Sequence, residues 1–562
     1  MGGNEQPRWP TTLGAWIVLV GGCSNGTLPG ESSIDTATAS SSGSTSDAPS
    51  GPTSASTEQT GLATTTSPSS TTDSNTTHAE GSSEADDGSS STGDAPRPAT
   101  LFEATDFLAP YETVVAAWGP GNGWADLDRD GWLDLVTAGG EGPSHVYLNL
   151  GDGTLDEWAA DDLLESFDRT IGVSIADFDN DGWSDIYLLR NGANVLLRNL
   201  DGTGLEDVTV SAGVGDPHNG TSASWADYDG DGWLDLYVAN AENEPDVLYH
   251  ADGDGTFSDV STLVQPPEDY QAFVGVWLDY DDDGDLDLYV SNDKQVGNRL
   301  WRNDGPGCAG WCFVDAAPIE GAALAECSMG VAVGDYDNDL DLDIVFTDED
   351  DIDLVQNLRA QGTEGFVHAS AEAGLGEMGV GWGVFLFDYD NDRWPDLYLA
   401  EGYIPKRWTN LLYHNNGDGT FEDVTGISGC ADSGYGFGVT YADVDHDGAL
   451  DMMVSNRHEG HRLYRNQALW PEHHWLAIDL EGGGSINRDA IGARVWVTTD
   501  GGHTMMQEVK AGSSVSSVNP TRLHFGLGLE HLQTISIRWP NGEIEEPAVP
   551  EEDTLWEHAH PG

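Results

Sequence analysis

A nine-residue acidic pattern recurs seven times in this 562-residue chain, and it constrains the fold more than any other feature. The copies follow one another at intervals of 50 to 56 residues, beginning at Asp126, Asp177, Asp227, Asp279, Asp335, Asp388 and Asp443. The context repeats as well: a small-residue run precedes each copy, and two apolar runs and a TFSDV-like segment follow. Four short strands in each of seven units predict an all-β chain with a seven-bladed β-propeller.

The seventh unit indicates how the ring of blades closes. After its third strand, HRLYRNQ, the chain runs directly into a different segment at Leu469, so a fourth strand is missing. An unmatched strand-like stretch, LFEATDF, lies ahead of the first unit at residues 101–107. We therefore expect residues 101–107 to complete the last blade of a propeller that spans residues 101–468.

The third copy, DYDGDGWLD, shows why the pattern points to a metal. Asp227, Asp229, Asp231 and Asp235 stand at positions 1, 3, 5 and 9. Like charges about 4 Å apart repel by roughly 1 kcal/mol per pair in water and about 4 kcal/mol near a protein surface. Four carboxylates form six such pairs, and their repulsion would cost roughly 6 to 24 kcal/mol in total. The side chains must therefore either point apart into solvent or bind a cation. Oxygen ligands at this spacing, with glycine at position 6, suit Ca²⁺.

An EF-hand is excluded, since it needs flanking helices and Glu at position 12, where these copies have Thr or an apolar residue. The repeats instead resemble the FG-GAP/VCBS repeats of integrin α-subunit propellers. The resemblance covers residues 101–467 and implies up to seven structural Ca²⁺ ions, one in the hairpin between the first two strands of each blade. Side chains at positions 1, 3, 5 and 9 and the backbone carbonyl at position 7 would be the ligands.

The residues at these five positions in loops 1 to 7, in chain order, are Asp126, Asp128, Asp130, Trp132 and Asp134; Asp177, Asp179, Asp181, Trp183 and Asp185; Asp227, Asp229, Asp231, Trp233 and Asp235; Asp279, Asp281, Asp283, Asp285 and Asp287; Asp335, Asp337, Asp339, Asp341 and Asp343; Asp388, Asp390, Asp392, Trp394 and Asp396; and Asp443, Asp445, Asp447, Ala449 and Asp451. Two loops carry Leu340 and Arg393 at position 6 in place of glycine. A left-handed non-glycine residue costs on the order of 1 kcal/mol, so these two sites are expected to be the weakest.

The N-terminus predicts export. An apolar run from Leu13 to Val20 follows Arg8 and is too short to span a bilayer. The sequence LVGGCSNG resembles a bacterial lipobox, which implies a signal in residues 1–23 and lipidation of Cys23; an ordinary signal peptide and a chance apolar stretch are the alternatives. Residues 24–100 are dominated by Ser, Thr, Gly, Ala and Asp and are predicted to be a disordered linker. We expect a protein anchored by lipid at the bacterial cell envelope or surface, or secreted.

Four further cysteines predict two disulfide bonds in an exported chain, with three possible connectivities. They are Cys308, Cys312, Cys327 and Cys430. Cys308 and Cys312 share one loop, so this pair is expected first. A zinc site is the alternative, but its CxxxC spacing is loose and the other two cysteines are distant.

Residues 469–550 do not continue the repeat and predict a small all-β domain, with residues 551–562 as a tail. The stretches SINRDAIGARVWV, LHFGLG and IRWPNGE resemble the ASPIC/UnbV domain, which follows such propellers in other proteins. Arg488 and Asp489 are a candidate ligand site, with a buried or turn-stabilising ion pair as the alternative role. His473 and His474 are adjacent and point to opposite faces of a strand, so they cannot chelate one metal as a strand pair.

The formal net charge of −77 argues against a nucleic acid partner. GxSxG, HExxH and P-loop motifs are absent, which favours recognition or adhesion over catalysis; a propeller-scaffolded enzyme of polysaccharide processing is the alternative. By the propeller resemblance, a ligand would bind opposite the acidic loops, where loop sequences differ between units. A candidate basic-aromatic patch for an extracellular protein or glycan comprises Lys406, Arg407, Trp408, Arg457 and His458; ordinary solvated loop charges are the alternative.

Overall fold

The computed structural model describes residues 100–562 except 112–118, 159–162, 242, 266–269, 295, 309, 325–326, 364, 377, 403–407, 468–469 and 513. The predicted lipidation site Cys23, the predicted linker up to residue 99, and Lys406 and Arg407 lie outside the described residues. Within the described part of the chain, no helix is long and apolar enough to cross a membrane.

Seven sheets of four antiparallel strands make up residues 102–466. The strands in chain order are β1 Phe102–Ala109, β2 Asn122–Ala125, β3 Asp134–Thr137, β4 His145–Asn149, β5 Leu155–Glu157, β6 Thr170–Ala176, β7 Asp185–Arg190, β8 Val195–Asn199, β9 Leu205–Asp207, β10 Gly220–Ala226, β11 Asp235–Asn240, β12 Val247–Ala251, β13 Phe257–Asp259, β14 Ala272–Leu278, β15 Asp287–Asn292, β16 Arg299–Gly307, β17 Gly310–Asp315, β18 Val331–Gly334, β19 Asp343–Thr347, β20 Ile352–Asn357, β21 Phe366–His368, β22 Gly381–Phe387, β23 Asp396–Glu401, β24 Leu411–Asn415, β25 Phe421–Asp423, β26 Gly436–Ala442, β27 Asp451–Asn456 and β28 Gly460–Asn466. Each successive set of four from β2 to β25 forms one of blades 1 to 6, and β26 to β28 join β1 in blade 7.

The first strands of neighbouring blades contact one another around the ring, including β26 of blade 7 and β2 of blade 1. These strands therefore surround the central axis. They are rich in small residues because the blades approach closely there: a Cβ on Gly383 of β22 would lie 2.9 Å from the side chain of Val439 in β26. The repeat analysis thus predicted the seven-bladed propeller correctly.

The predicted closure by the N-terminal strand is confirmed. β1 pairs antiparallel with β28, with Phe102 opposite Asn466 and Glu103 opposite Arg465. Phe102 is fully buried in the core of blades 6 and 7, and its ring centroid lies 6.4 Å from that of Phe387 and 6.0 Å from that of Tyr389. The strand extends to Ala109, two residues beyond the predicted segment.

Single helical turns follow the fourth strand of several blades and lead into the next one. The α-helical turns are α1 Thr209–Ala212, α2 Ala317–Glu320 and α3 Thr425–Ser428, and 3-10 turns lie at Leu164–Ser166 and Ser261–Leu263. Each α-helical turn ends at a glycine in the left-handed region, as at Gly213 with φ 83°. A left-handed glycine at this position ends a helix without a Cβ penalty.

The C-terminal domain consists of two small sheets. Its strands are β29 His474–Glu481, β30 Arg494–Thr499, β31 Thr504–Glu508, β32 Leu523–Gly528, β33 Leu532–Arg538, β34 Ile544–Glu545 and β35 Thr554–Ala559. One sheet has the order β31-β30-β33-β34 and the other β32-β29-β35.

The prediction that residues 551–562 form a tail is wrong. β35 lies within them and pairs in parallel with β29, from Leu476 opposite Thr554 to Glu481 opposite Ala559. The side chains of β35 are only partly buried, so this edge strand lacks the strong apolar alternation by which the other strands were recognised.

The C-terminal domain also sends one segment into the centre of the propeller. This axial segment, residues 511–519 without the undescribed residue 513, hydrogen-bonds to the first strands of blades 1, 2, 3 and 5. The backbone N–H of Trp225 donates to Ala511, that of Val173 to Ser516, and that of Val518 to Asn122. Ala511 pairs with Trp225 near the end of β10 that leads into the acidic loop, and the N–H of Ser516 donates to the Thr221 carbonyl near the other end of β10. Val515 and Ser516 are fully buried, so the axis is filled by protein.

Candidate metal centres

The backbone of every acidic loop turns at the same two positions. Position 6 is left-handed as expected, and this holds for Leu340 (φ 76°) and Arg393 (φ 89°) as well as for the glycines. Position 4 is also left-handed, which the sequence pattern did not predict. The residues at position 4 are Arg129, Asn180, Gly230, Asp282, Asn338, Asn391 and His446. The residue types at position 4 could have indicated this conformation, because most of them are Asn, Asp or Gly, which tolerate the left-handed region best.

Backbone N–H groups hold the carboxylates at positions 1, 5 and 9, and loop 3 illustrates the pattern. Asp227 Oδ1 accepts from the N–H of Asp231 at 3.0 Å, and Asp231 Oδ1 accepts from that of Trp233 at 2.9 Å. Asp235, the first residue of β11, accepts from the N–H of Tyr228 at 3.1 Å and that of Ala251 at 2.8 Å. Each of these carboxylates is therefore oriented by the loop itself.

The carboxylate at position 3 has a buried oxygen that no hydrogen bond satisfies. This holds for Oδ1 in each of loops 1 to 5, at Asp128, Asp179, Asp229, Asp281 and Asp337. An unsatisfied buried polar atom costs about 1–3 kcal/mol and more when charged, and here the same atom recurs in five loops.

Carboxylate oxygens from positions 1, 3 and 9 converge in these loops. In loop 1, the oxygens of Asp126, Asp128 and Asp134 lie within 4.8 Å of one another, and loop 2 repeats the arrangement with its corresponding aspartates. Three hard oxygen ligands around an unsatisfied buried atom fit a Ca²⁺ ion, which takes six to eight oxygens at 2.3–2.6 Å. The residues that are present therefore suit the ion that the pattern predicts.

Burial changes the acidity of these carboxyl groups. Desolvation is the main cause, and it raises the pKa of Asp134, Asp177 and Asp227 to about 8 and that of Asp443 to about 7. Neighbouring aspartates within each loop raise the pKa further. A nearby cation would reverse both effects by stabilising the ionised form.

Arginine side chains pair with carboxylates of loops 2, 4 and 7, most closely in loops 4 and 7. In loop 7, Arg465 Nη1 lies 2.5 Å from Asp451 Oδ2 and 3.3 Å from Asp445 Oδ2. In loop 4, Arg538 pairs with the Asp279 carboxylate, and the Arg494 guanidinium donates to the Asp279 carbonyl at 2.6 Å. Arg393 instead turns outward to Glu530. Guanidinium groups therefore pair with carboxylates of loops 4 and 7 and would compete with any cation there.

A ring of asparagines at the end of the third strands joins neighbouring blades. Asn415 shows the geometry: its N–H donates to Asp396 Oδ1 of its own loop, and its Nδ2 donates to the Tyr336 carbonyl of the preceding blade, both at 2.8 Å. Six blades repeat this contact with the preceding loop, through Asn149, Asn199, Asn303, Asn357, Asn415 and Asn466. Blade 3 has Ala251 at this position. In the sequence, the repeated segments YHN, LRN and LYRN, each ending in this asparagine, were the signal that could have predicted the contact.

Replacing Asn415 by alanine is expected to lower the free energy of unfolding by roughly 1–3 kcal/mol, because the buried carbonyl of Tyr336 loses its donor. The variant Asn416→Ala is a matched control, since the Asn416 amide bonds only to the exposed Thr420 hydroxyl. Urea unfolding in millimolar calcium, followed by tryptophan fluorescence, measures both. Equal losses in the two variants would contradict a role for the asparagine ring in joining blades.

The C-terminal domain lies on the acidic-loop face of the propeller. Asp489 Oδ2 accepts from the N–H of Asp177 in loop 2, and the N–H of Arg488 donates to Asn180 Oδ1, both at 2.8 Å. The Arg488 guanidinium pairs with Glu481. Arg488 and Asp489 therefore anchor the domain to loop 2. The domain makes further contacts with loops 1, 4, 6 and 7, through Gly131, Asp279, Asn391 and His446.

The cysteine predictions have a mixed outcome. Cys308 and Cys312 form a disulfide bond as expected, with Cα atoms 5.4 Å apart. Cys430 is a buried free thiol. The prediction of two disulfide bonds among the four cysteines is therefore wrong; Cys430 lies among apolar side chains such as Phe102 and Leu412, where a small thiol packs well.

Three residues of the predicted basic-aromatic patch are described. The Arg457 guanidinium lies 5.8 Å from the ring centroid of Phe437, and the His458 ring meets that of Tyr435 edge-on at 5.3 Å. Trp408 packs against Gly379. Burial lowers the pKa of Arg457. Arg457 is thus partly used in packing, and a ligand-binding role for the patch stays a prediction.

A ring of seven four-stranded blades, with an acidic hairpin loop in each and a small β domain on that face, defines the class of protein. Residues 126–454 match the FG-GAP-like repeat in six overlapping segments, and residues 483–559 match the ASPIC and UnbV domain. The chain belongs to the FG-GAP-like repeat family.

Among curated proteins, the chain is similar to cartilage acidic protein 1. The mouse protein is 26% identical, covering 82% of this chain and 77% of that protein; the human protein is 25% identical, covering 75% and 68%. A solved structure of an Agrocybe aegerita lectin that recognises non-reducing terminal N-acetylglucosamine is 18% identical. It covers 53% of this chain and 77% of that chain with a TM-score of 0.35. A similarity of this size does not extend the lectin's ligand to this chain.

Proposed function

We propose that this protein is a calcium-stabilised recognition or adhesion module of the cell surface, which binds an extracellular protein or glycan through the propeller face opposite the acidic loops. The observation that carries the proposal is the position of the C-terminal domain. It covers the acidic-loop face and fills the axis, which leaves the opposite face as the broad surface available to a partner.

The loops of that opposite face differ between blades in length and chemistry, which suits recognition of one particular partner. The loop of blade 5 exposes Asp350 and Asp351. In blade 7, the corresponding loop exposes His458 and Glu459. Acidic and aromatic groups are thus presented on nearby blades, supported by a rigid ring.

Calcium has a structural role in this proposal. The convergent carboxylates and the unsatisfied oxygens at position 3 support binding of up to seven ions, fewer if arginine excludes calcium from loops 4 and 7. Export with a lipid anchor at Cys23 is the localisation we propose, with secretion as the alternative, and it rests on the N-terminal sequence. The strong negative charge disfavours nucleic acid as a partner.

An array of glycans and extracellular proteins, probed with the full-length protein in millimolar calcium, tests the proposal. We expect binding to a small set of ligands, reduced at least tenfold by the double charge reversal Asp350→Lys, Asp351→Lys or by Lys406→Ala, Arg407→Glu. The control Glu422→Lys reverses an exposed charge on the outer strand β25 of blade 6 and should leave binding unchanged. Binding that responds to none of the opposite-face variants would place the ligand elsewhere.

A further inference from the structure

Two histidines and two carboxylates from three distant segments meet on the C-terminal domain. His474 is the first residue of β29, His531 precedes β33, and Glu552 and Asp553 precede β35. β29 and β35 are parallel neighbours in one sheet, and β33 belongs to the other. The four side chains therefore come together where strands of both sheets begin, well separated in sequence from the acidic loops.

The distances among these groups are close to those between the ligands of one metal ion. His531 Nδ1 lies 2.7 Å from Glu552 Oε1, and His474 Nδ1 lies 3.7 Å from the same oxygen and 2.9 Å from Asp553 Oδ2. The ligand atoms of His474, His531 and Glu552 all lie within 4.8 Å of one another. Tetrahedral ligands at about 2.0–2.1 Å from a zinc ion stand roughly 3.3 Å apart, so small side-chain shifts suffice.

Both carboxylates are positioned by the backbone. Glu552 Oε2 accepts from the N–H of Leu532 at 3.1 Å, and Asp553 Oδ1 accepts from that of Trp475 at 3.2 Å. In each case the second oxygen faces an imidazole. The backbone of Asp553 lies in the left-handed region (φ 58°), which is uncommon for a residue other than glycine. This conformation lets the consecutive carboxylates of Glu552 and Asp553 face the same pair of histidines.

We propose that His474, His531 and Glu552, with Asp553 as a fourth ligand or an orienting partner, bind one transition metal ion of the Zn²⁺ class. Imidazole nitrogen selects such ions, whereas Ca²⁺ prefers an all-oxygen shell. The site therefore differs in chemistry from the acidic loops. A bound ion would hold the starts of β29, β33 and β35 together and so clamp the two sheets of the C-terminal domain.

The same four residues can also form two histidine–carboxylate ion pairs without a metal, and the two arrangements are distinguishable. The test uses the full-length protein, carrying no histidine tag and saturated with calcium. Zn²⁺ is titrated calorimetrically, and Co²⁺ serves as a probe whose visible absorption reports coordination. We expect one zinc ion per chain and a Co²⁺ spectrum that Zn²⁺ removes.

The variants His474→Ala, His531→Gln and Glu552→Gln are each expected to weaken zinc binding at least about tenfold. His503→Ala is the matched control, because His503 likewise pairs with a carboxylate, that of Glu530, on the same domain but is not one of the four proposed ligands. Circular dichroism and the melting temperature in calcium establish that each variant is folded; His531, with 59% of its side chain exposed, offers the change least coupled to folding. Zinc binding that is absent from the native protein, or unchanged in the folded His531→Gln variant, would overturn the proposal.

Discussion

Chelation of calcium from the purified protein is expected to lower its melting temperature by several degrees, up to about 10 °C if all seven loops bind an ion. The reason is mass action, because ions that bind the folded loops and not the unfolded chain would stabilise the native state. Extracellular calcium modules bind with dissociation constants of about 10⁻⁴ to 10⁻³ M. At tenfold excess over that constant each site adds roughly 1.4 kcal/mol, so several sites add several kcal/mol. Differential scanning calorimetry with EDTA and with millimolar calcium measures the difference.

A substitution at position 3 separates calcium binding from general damage to the fold. Asp128→Asn changes a proposed calcium ligand whose buried Oδ1 has no hydrogen-bond partner within the protein. The variant should therefore be less stable than the native protein in calcium, yet equally stable or more stable in EDTA, because a repelled, desolvated carboxylate is gone.

Asp156→Asn is the control for this substitution, since it makes the same charge change on the exposed outer strand β5 of the same blade. It should have no effect under either condition. A native melting temperature that EDTA does not move, or an Asp128→Asn loss of equal size with and without calcium, would refute structural calcium in loop 1.

Deletion of residues 101–107 is expected to prevent folding of the propeller, although it removes only the outermost strand of one blade. The single change Phe102→Ala should already cost about 3–5 kcal/mol, since the ring is fully buried against Phe387 and Tyr389. The full deletion also removes the pairing of Phe102, Glu103 and Ala104 with β28. The sum is comparable with the net stability of about 5–15 kcal/mol of a typical domain.

Urea unfolding of Phe102→Ala and soluble yield of the deletion variant measure these effects. Glu103→Ala is the control, because Glu103 lies on the same strand with an exposed side chain and should change the stability by less than about 0.5 kcal/mol. A deletion variant that folds with native-like stability would show that the ring does not depend on this strand for closure.

The sequence was sufficient for features that repeat locally. Seven copies of one spacing predicted the blades, the loops and the left-handed position 6, even where Leu340 and Arg393 replace glycine. The missing fourth strand of the seventh unit predicted the closing role of β1. In each case the residues that determine the feature lie within one repeat unit, or the feature follows from comparing one unit with the next.

Features that depend on distant segments could not be predicted. Arg465 reaches loop 7 from within its own blade, but Arg538 reaches loop 4 from a different domain. In the sequence the neighbour of His474 is His473, whereas the fold places His474 beside His531. The asparagine recurs at the same position of the repeat in the sequence. Its hydrogen-bond acceptors belong to the preceding blade, however, so the sequence pattern alone does not predict them.

The axial segment makes glycine positions in the repeats depend on a separate domain. A Cβ on Gly172 of blade 2 would lie 2.7 Å from the Ser516 side chain, and one on Gly123 of blade 1 would lie 2.6 Å from that of Val518. These glycines are therefore required by a segment more than 300 residues away. The repeats and the C-terminal domain are therefore packed against each other at the axis, and we expect that exchanging either for a homologous part requires matching changes in the central residues of the other.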